Sequence, residues 1–124
     1  MSILIDTDVL IEVLRARDQA ILAQWRELKV SSVEILFSSV TAAEVWRGAR
    51  PQEHQTILNH LGALECVPVD YETGRLAGIL LNQYAKSHGL EIADALIAAA
   101  ALQHQAALWT RNRRHYPMPQ LTFY

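Results

Sequence analysis

Three acidic side chains stand where chemistry could be done. They are Asp6 in Ile3-Leu4-Ile5-Asp6-Thr7-Asp8, Glu44 in Ser38-Ser39-Val40-Thr41-Ala42-Ala43-Glu44, and Asp94 in Glu91-Ile92-Ala93-Asp94-Ala95. Each lies beside an apolar stretch that reads as buried, at a point where the pattern predicts a strand handing over to a helix. In open α/β sheets, ligands bind outside the carboxyl ends of the strands. Acids gathered there repel one another unless a cation joins them. A hard divalent ion with oxygen ligands answers that need. The pattern points to metal-assisted chemistry, with Asp6, Asp94 and Glu44 as ligands of Mg²⁺ or Mn²⁺.

Each acid also has an ordinary explanation. Asp6 suits a helix cap, and Asp8 complements a first helical turn. Thr41 and Glu44 match the T-x-x-E capping box, in which the glutamate folds back onto the cap residue. Asp94 is a plausible first-turn carboxylate. The joint pattern favours the functional reading, because an acid at the start of an almost wholly apolar helix is costly unless something compensates it. Asp8, two residues after Asp6, is placed in support of the ligands, as are Thr41 and Thr110.

The elements that must position these residues follow from periodicity. Ile3-Leu4-Ile5 is an apolar run without alternation, which suits a strand covered on both faces. Val9, Leu10, Val13 and Leu14 make a helical stripe, and Asp18 opens a second helix through Ile21, Leu22, Trp25 and Leu28. Ile35-Leu36-Phe37 reads as the next strand. Thr41 is expected to begin a short helix ending near Gly48, and Pro51 suits the first turn of another that stops around Gly62. Cys66 and Val67 read as a third strand. Asp70 is expected to cap a long helix striped by Leu76, Ala77, Leu80, Leu81 and Tyr84, with Gly89 after its end. Residues 91–104 form an Ala-rich helix apolar nearly all round, the mark of a buried central element. Ala107-Leu108-Trp109-Thr110 reads as a fourth strand, and Leu121 to Tyr124 as a short final one. Alternating strands and helices imply an α/β fold with a mostly parallel central sheet flanked by helices, read as a single domain over residues 1–124.

The 124 residues, 51% of them hydrophobic, are enough for one real core. A net charge of −2 argues against a protein that coats nucleic acid through a global positive field. A lone cysteine, Cys66, forms no internal bridge and is expected to be a small buried hydrophobe in a reducing compartment. The N-terminus lacks a basic n-region and no apolar run approaches the ~20 residues that span a bilayer, so the expectation is a cytoplasmic, soluble protein with no membrane partner.

After the fourth strand comes Thr110-Arg111-Asn112-Arg113-Arg114-His115-Tyr116. Thr110 and Asn112 offer neutral oxygens or hydrogen bonds to metal-bound water. Arg111, Arg113 and Arg114 suit a phosphate backbone; on charge alone the segment reads as a solvated basic loop before Pro117, and its predicted place beside the acids brings the functional reading level with that one. His115 reads as a surface histidine rather than a general base, since metal-bound hydroxide makes a protein base unnecessary.

Taken together, Leu4-Ile5-Asp6-Thr7-Asp8-Val9-Leu10-Ile11, Ser39-Val40-Thr41-Ala42-Ala43-Glu44-Val45 with Gly48, Ile92-Ala93-Asp94-Ala95-Leu96-Ile97-Ala98-Ala99-Ala100 and Leu108-Trp109-Thr110-Arg111-Asn112 resemble the PIN-domain nucleases, most closely the VapC-type toxins of toxin–antitoxin pairs. The resemblance spans essentially the whole chain. It implies a PIN-like fold and Mg²⁺- or Mn²⁺-dependent endoribonuclease activity, with Asp6, Glu44 and Asp94 on the family's acidic positions. It also implies homodimers and silencing by a small VapB-like antitoxin. At the fourth acidic position, where the family often has Asp, this chain offers Asn112 or His115. A second metal is therefore in doubt, and Asn112 joins the candidate catalytic set. Two rivals are carried beside this reading. One is a catalytically silent PIN-fold module that binds a protein partner. The other is a phosphoacceptor receiver domain, which needs a late-strand lysine, whereas Lys29 and Lys86 both fall in predicted helices.

Overall fold

Four short parallel strands form one sheet in the order β3-β2-β1-β4. They are β1 (Ser2–Ile5), β2 (Glu34–Ser38), β3 (Glu65–Val67) and β4 (Ala107–Trp109). The computed structural model describes all 124 residues, 1–124. Helices α1 (Thr7–Arg15) and α2 (Gln19–Lys29) link β1 to β2. After β2 come α3 (Ser39–Arg47), a 3₁₀ turn at Pro51–Glu53 and α4 (His54–Gly62); α5 (Tyr71–His88) and α6 (Ile92–Gln103) carry the chain from β3 to β4. No helix is long and apolar enough to cross a membrane.

The unbroken apolar runs of the strands serve two cores, one on each face. Leu4, Leu36, Val67 and Leu108 face α5 and α6, while Ile3, Ile5, Ile35, Phe37 and Trp109 face α1, α2 and α4. The alternation is set by the pleat, not by polarity. Helix α6 is packed on nearly every side, with Ala95 and Ile97 through Ala101 all buried. Its small side chains let it lie close to α5 and the sheet. Asp18 and Asp70 cap α2 and α5 as expected, and Gly89 takes the left-handed conformation that ends α5.

Four expectations are corrected. Thr41 does not begin a helix: α3 starts at Ser39, Ser38 caps it through the Val40 N–H, and Thr41 is wholly buried. The capping box with Glu44 therefore does not form, because the chain already turns three residues earlier. Leu121 to Tyr124 makes only an isolated bridge, Phe123 to Leu108. Its apolar residues plug the core beneath β4, with Tyr124 edge-on to Trp109, and do not extend a ladder. Cys66 is exposed, because β3 is the edge strand and only Val67 of it is covered. Finally, no strand precedes Asp94: it enters from the first turn of α6, after α5 and a short turn.

Candidate active site

β1 and β4 lie side by side with Ile5 opposite Trp109. The next residue along each strand is therefore Asp6 and Thr110, at the carboxyl edge. This is also where the topology reverses, since the chain after β1 moves toward β2 and β3 while β4 returns on the other side. Asp6 is tethered here by its own N–H, which bonds the Trp109 carbonyl at 2.9 Å.

Asp6 is 6% exposed, and every bond it accepts comes from a neutral group. The Thr7 N–H donates to Oδ1 at 2.8 Å. The Thr110 and Tyr116 hydroxyls both donate to Oδ2 at 2.8 Å. Tyr116 is itself buried, and its hydroxyl also lies 3.4 Å from Asp94 Oδ1. Burial first, then the charges of Asp6 and Asp94, push its phenol far above the ordinary tyrosine range, so it acts only as a neutral donor.

Glu44 arrives from the second turn of α3. The Thr7 hydroxyl lies 2.6 Å from Glu44 Oε1 and 2.9 Å from the Thr41 hydroxyl. A carboxylate only accepts, so the Thr7 proton goes to Glu44 and the buried Thr41 donates to Thr7. Thr41 and Thr7 thus tie Glu44 to the residue that follows Asp6. Asp8 is fixed by the Asn112 side-chain amide at 2.9 Å, the Arg111 N–H at 3.2 Å and the Val9 N–H at 2.7 Å. The Asn112 N–H in turn donates to Thr110 Oγ1 at 3.0 Å.

The charge balance is lopsided. Burial first and the Asp6 charge second raise the carboxyl groups of both Asp8 and Asp94 above the 3.8 of a free aspartate. For Asp94, the His115 ring 3.9 Å away and the Tyr116 hydroxyl act the other way. His115 is exposed, in line with its reading as a surface residue. No arginine side chain bonds these acids, although the Arg111 charge pulls the Asp8 carboxyl back down. Arg111 pairs with Glu12 at 3.3 Å, and Arg113 bonds the Tyr124 carbonyl and lies over the Phe123 ring. Arg114 is exposed.

The acids do not close on one point. No three of the His, Cys, Asp and Glu side chains are close enough together to hold a metal between them. Glu44 opens on a cleft with Ile11, Val45 and Ile57, whereas Asp94 lines a separate polar cleft with His88, Glu91 and His115. Neutral donors hold the acids instead: hydroxyls on Asp6 and Glu44, amide N–H groups on Asp8, with Tyr116 reaching both Asp6 and Asp94. The donor chemistry nevertheless suits a hard divalent ion: all oxygen, no thiolate, and no cationic side chain bonded to Asp6 or Glu44.

Three residues of this network escaped the sequence reading. Thr7 was hidden between the two acids of Asp6-Thr7-Asp8. Tyr116 looked like the end of a basic loop. Glu12 is 9% exposed and holds both Arg17 and Arg111. Its signal was legible, since it is a charged residue on the buried stripe of α1.

The PIN domain family model matches residues 3–120. This chain belongs to the PIN-domain family. Among its PIN-domain relatives, Ribonuclease VapC19 of Mycobacterium tuberculosis (strain ATCC 25618 / H37Rv) is 34% identical over 116 residues, 93% of this chain and 92% of the relative. Among solved structures, FitAcB from Neisseria gonorrhoeae is 26% identical with a TM-score of 0.76, covering 98% of this chain and 96% of that one. VapBC2 from Rickettsia felis, bound to a DNA fragment from their promoter, superposes with a TM-score of 0.82 at 22% identity, over 100% of this chain and 98% of that one. The last likeness bears on the fold alone, and it agrees with the parallel sheet and flanking helices expected of a PIN-like chain.

Proposed function

We propose that this PIN-domain chain is a metal-dependent endoribonuclease acting as the toxin of a toxin–antitoxin pair. The observation that carries the reading is the uncompensated negative edge. Asp6 is buried among neutral donors only, with Asp94 and Asp8 beside it and Glu44 linked to it through Thr7, whose N–H bonds Asp6 and whose hydroxyl bonds Glu44. Asp6, Asp94 and Glu44 would hold a Mg²⁺ or Mn²⁺ ion, which when bound supplies an activated water and neutralises charge on a phosphoryl group. Thr110 and Tyr116 hold Asp6, Asn112 holds Asp8, and Thr41 acts through Thr7. Of the three arginines, Arg114 is the one with no partner inside the chain, so it meets an RNA phosphate first, and Arg111 and Arg113 do so only by exchanging the contacts they now make. The same reading assigns a VapB-like antitoxin as partner, a homodimer as assembly and the cytoplasm as the place of action. The relative named a ribonuclease supports RNA as the substrate class.

The test is cleavage of a structured RNA by purified protein with Mg²⁺ or Mn²⁺, with EDTA as control. In-line attack by water leaves a 5′-phosphate and a 3′-hydroxyl, because the 2′-hydroxyl takes no part. Cleavage that persists in EDTA, or products ending in a 2′,3′-cyclic phosphate, would overturn the mechanism. Intact RNA at every metal concentration would instead favour the silent protein-binding module.

A further inference from the structure

Tyr116 is the side chain in contact with two of the site's acids at once. Its hydroxyl is 2.8 Å from Asp6 Oδ2 and 3.4 Å from Asp94 Oδ1. Its ring is 3% exposed and belongs to the same core as Met118, Leu108 and Ala98, so the hydroxyl has little freedom to move. Asp6 starts a helix after β1 and Asp94 lies in the first turn of α6, two elements with no other side-chain link at this edge. Two like charges on separate elements turn away from each other unless something stands between them. A rigid neutral donor between them reduces that tendency without occupying the site with a cation of its own.

We propose that Tyr116 is a positioning residue for cation binding, its hydroxyl setting the spacing of Asp6 and Asp94 before an ion arrives. The proposal rests on the cation-binding reading of the site. The ordering of two ligand side chains is then completed during folding rather than at binding, which favours affinity. Groups that hold metal ligands in place typically change metal affinity by about 10- to 100-fold when removed. The loop from Thr110 to Tyr116 thereby contributes neutral donors to the acids and no further carboxylate.

Tyr116→Phe tests this. The ring and its packing stay, and Asp6 Oδ2 keeps the Thr110 hydroxyl, so no buried polar group is orphaned. Mn²⁺ is titrated into parent and variant by calorimetry, and Tm is measured for both in EDTA. The expected result is a Kd for Mn²⁺ raised about 10-fold or more, with the Tm in EDTA within a few degrees of the parent. An unchanged Kd alongside a lower Tm is what a purely structural hydroxyl gives, and it would overturn the proposal. Tighter binding by the variant would do the same, since the hydroxyl would then compete with the ion. A parent that binds no Mn²⁺ would instead overturn the cation reading itself, so the two failures are distinguishable.

Discussion

Asp6 accepts three hydrogen bonds at 2.8 Å, while Asp94 has a single long contact at 3.4 Å. The same Asp→Asn change therefore has different consequences at the two positions. At Asp6 one oxygen becomes an amide donor facing groups that themselves donate, and the variant is expected to lose about 1–3 kcal/mol. At Asp94 the Tyr116 proton is already given to Asp6, so the amide loses no short bond and can itself donate to the Tyr116 oxygen, while a charge disfavoured by burial and by Asp6 disappears. Asp94→Asn is expected to stabilise the metal-free protein at pH 7 by about 1 kcal/mol, the usual sign for relief of a strained active-site group. The pH dependence gives the check. A carboxyl that ionises at higher pH when folded contributes its full stability below the unfolded value of 3.8 and loses it as pH rises through the folded value. The Tm advantage of Asp94→Asn in EDTA should thus be absent near pH 3.5 and present at pH 7. Equal advantages at both would remove burial of this charge as the cause. Both variants should cut RNA at least about 100-fold more slowly, since direct ligands matter more than the groups that hold them. At this scale the acids were legible from type and spacing alone. Thr41, Thr110 and Asn112 were legible beside them, but Thr7 and Tyr116 were not, because a hydroxyl between or after charged residues carries no periodic signal.

Helix α6 carries Asp94 on its first turn and buries alanines behind it, so the position of the acid depends on how closely the helix lies against the sheet. Ala98 is wholly buried one turn beyond Asp94. Ala98→Leu overpacks that contact and is expected to cost about 1–3 kcal/mol, with weaker Mn²⁺ binding as Asp94 moves. The contrast is Asp70→Ala. Asp70 caps α5, and its partner Thr73 bonds Gln103 at the far end of α6, roughly 13 Å along the helix from Asp94 at 1.5 Å per residue. Losing that cap should cost about 1 kcal/mol while leaving RNA cleavage unchanged; measuring Tm and cleavage for both variants separates the two effects. If Ala98→Leu left Mn²⁺ binding intact, close packing of α6 would not be what places Asp94. The strong elements were readable because apolar runs and capping residues agree locally. Thr41, Leu121 to Tyr124 and Cys66 were misread for one shared reason. Each obeys a local pattern whose outcome is decided by a neighbour: Ser38 caps first, the C-terminal run fills a hole under β4, and β3 lies at an edge.

Buried like charges gather at the carboxyl end of the sheet, whereas the pair Glu34 and Glu65 at its other end is exposed, and the effect of a cation on stability should report on the buried end. Asp8 and Asp94 are both raised by burial first and Asp6 second, so their ionisation destabilises the metal-free fold as pH rises above 3.8. Asp70 acts the other way, held low by its bonds from Thr73, and its contribution is lost only as pH falls through its lowered value. A divalent cation binds the ionised carboxylates and not their protonated forms. Its stabilising effect should therefore grow over the same pH range in which the metal-free protein weakens. At a Mn²⁺ concentration about 100 times its Kd, linkage gives about 2.7 kcal/mol, which at this chain length is a rise in Tm on the order of 10 °C. Thermal melts with Mn²⁺ and with EDTA, run from pH 4 to pH 7.5, should diverge steadily toward high pH. Parallel curves would mean that the ion, if bound at all, is held away from Asp6 and Asp94. An ion bound elsewhere on the surface would give a small shift with no such pH dependence, and so the divergence, more than the size of the shift, locates the charge that the cation relieves.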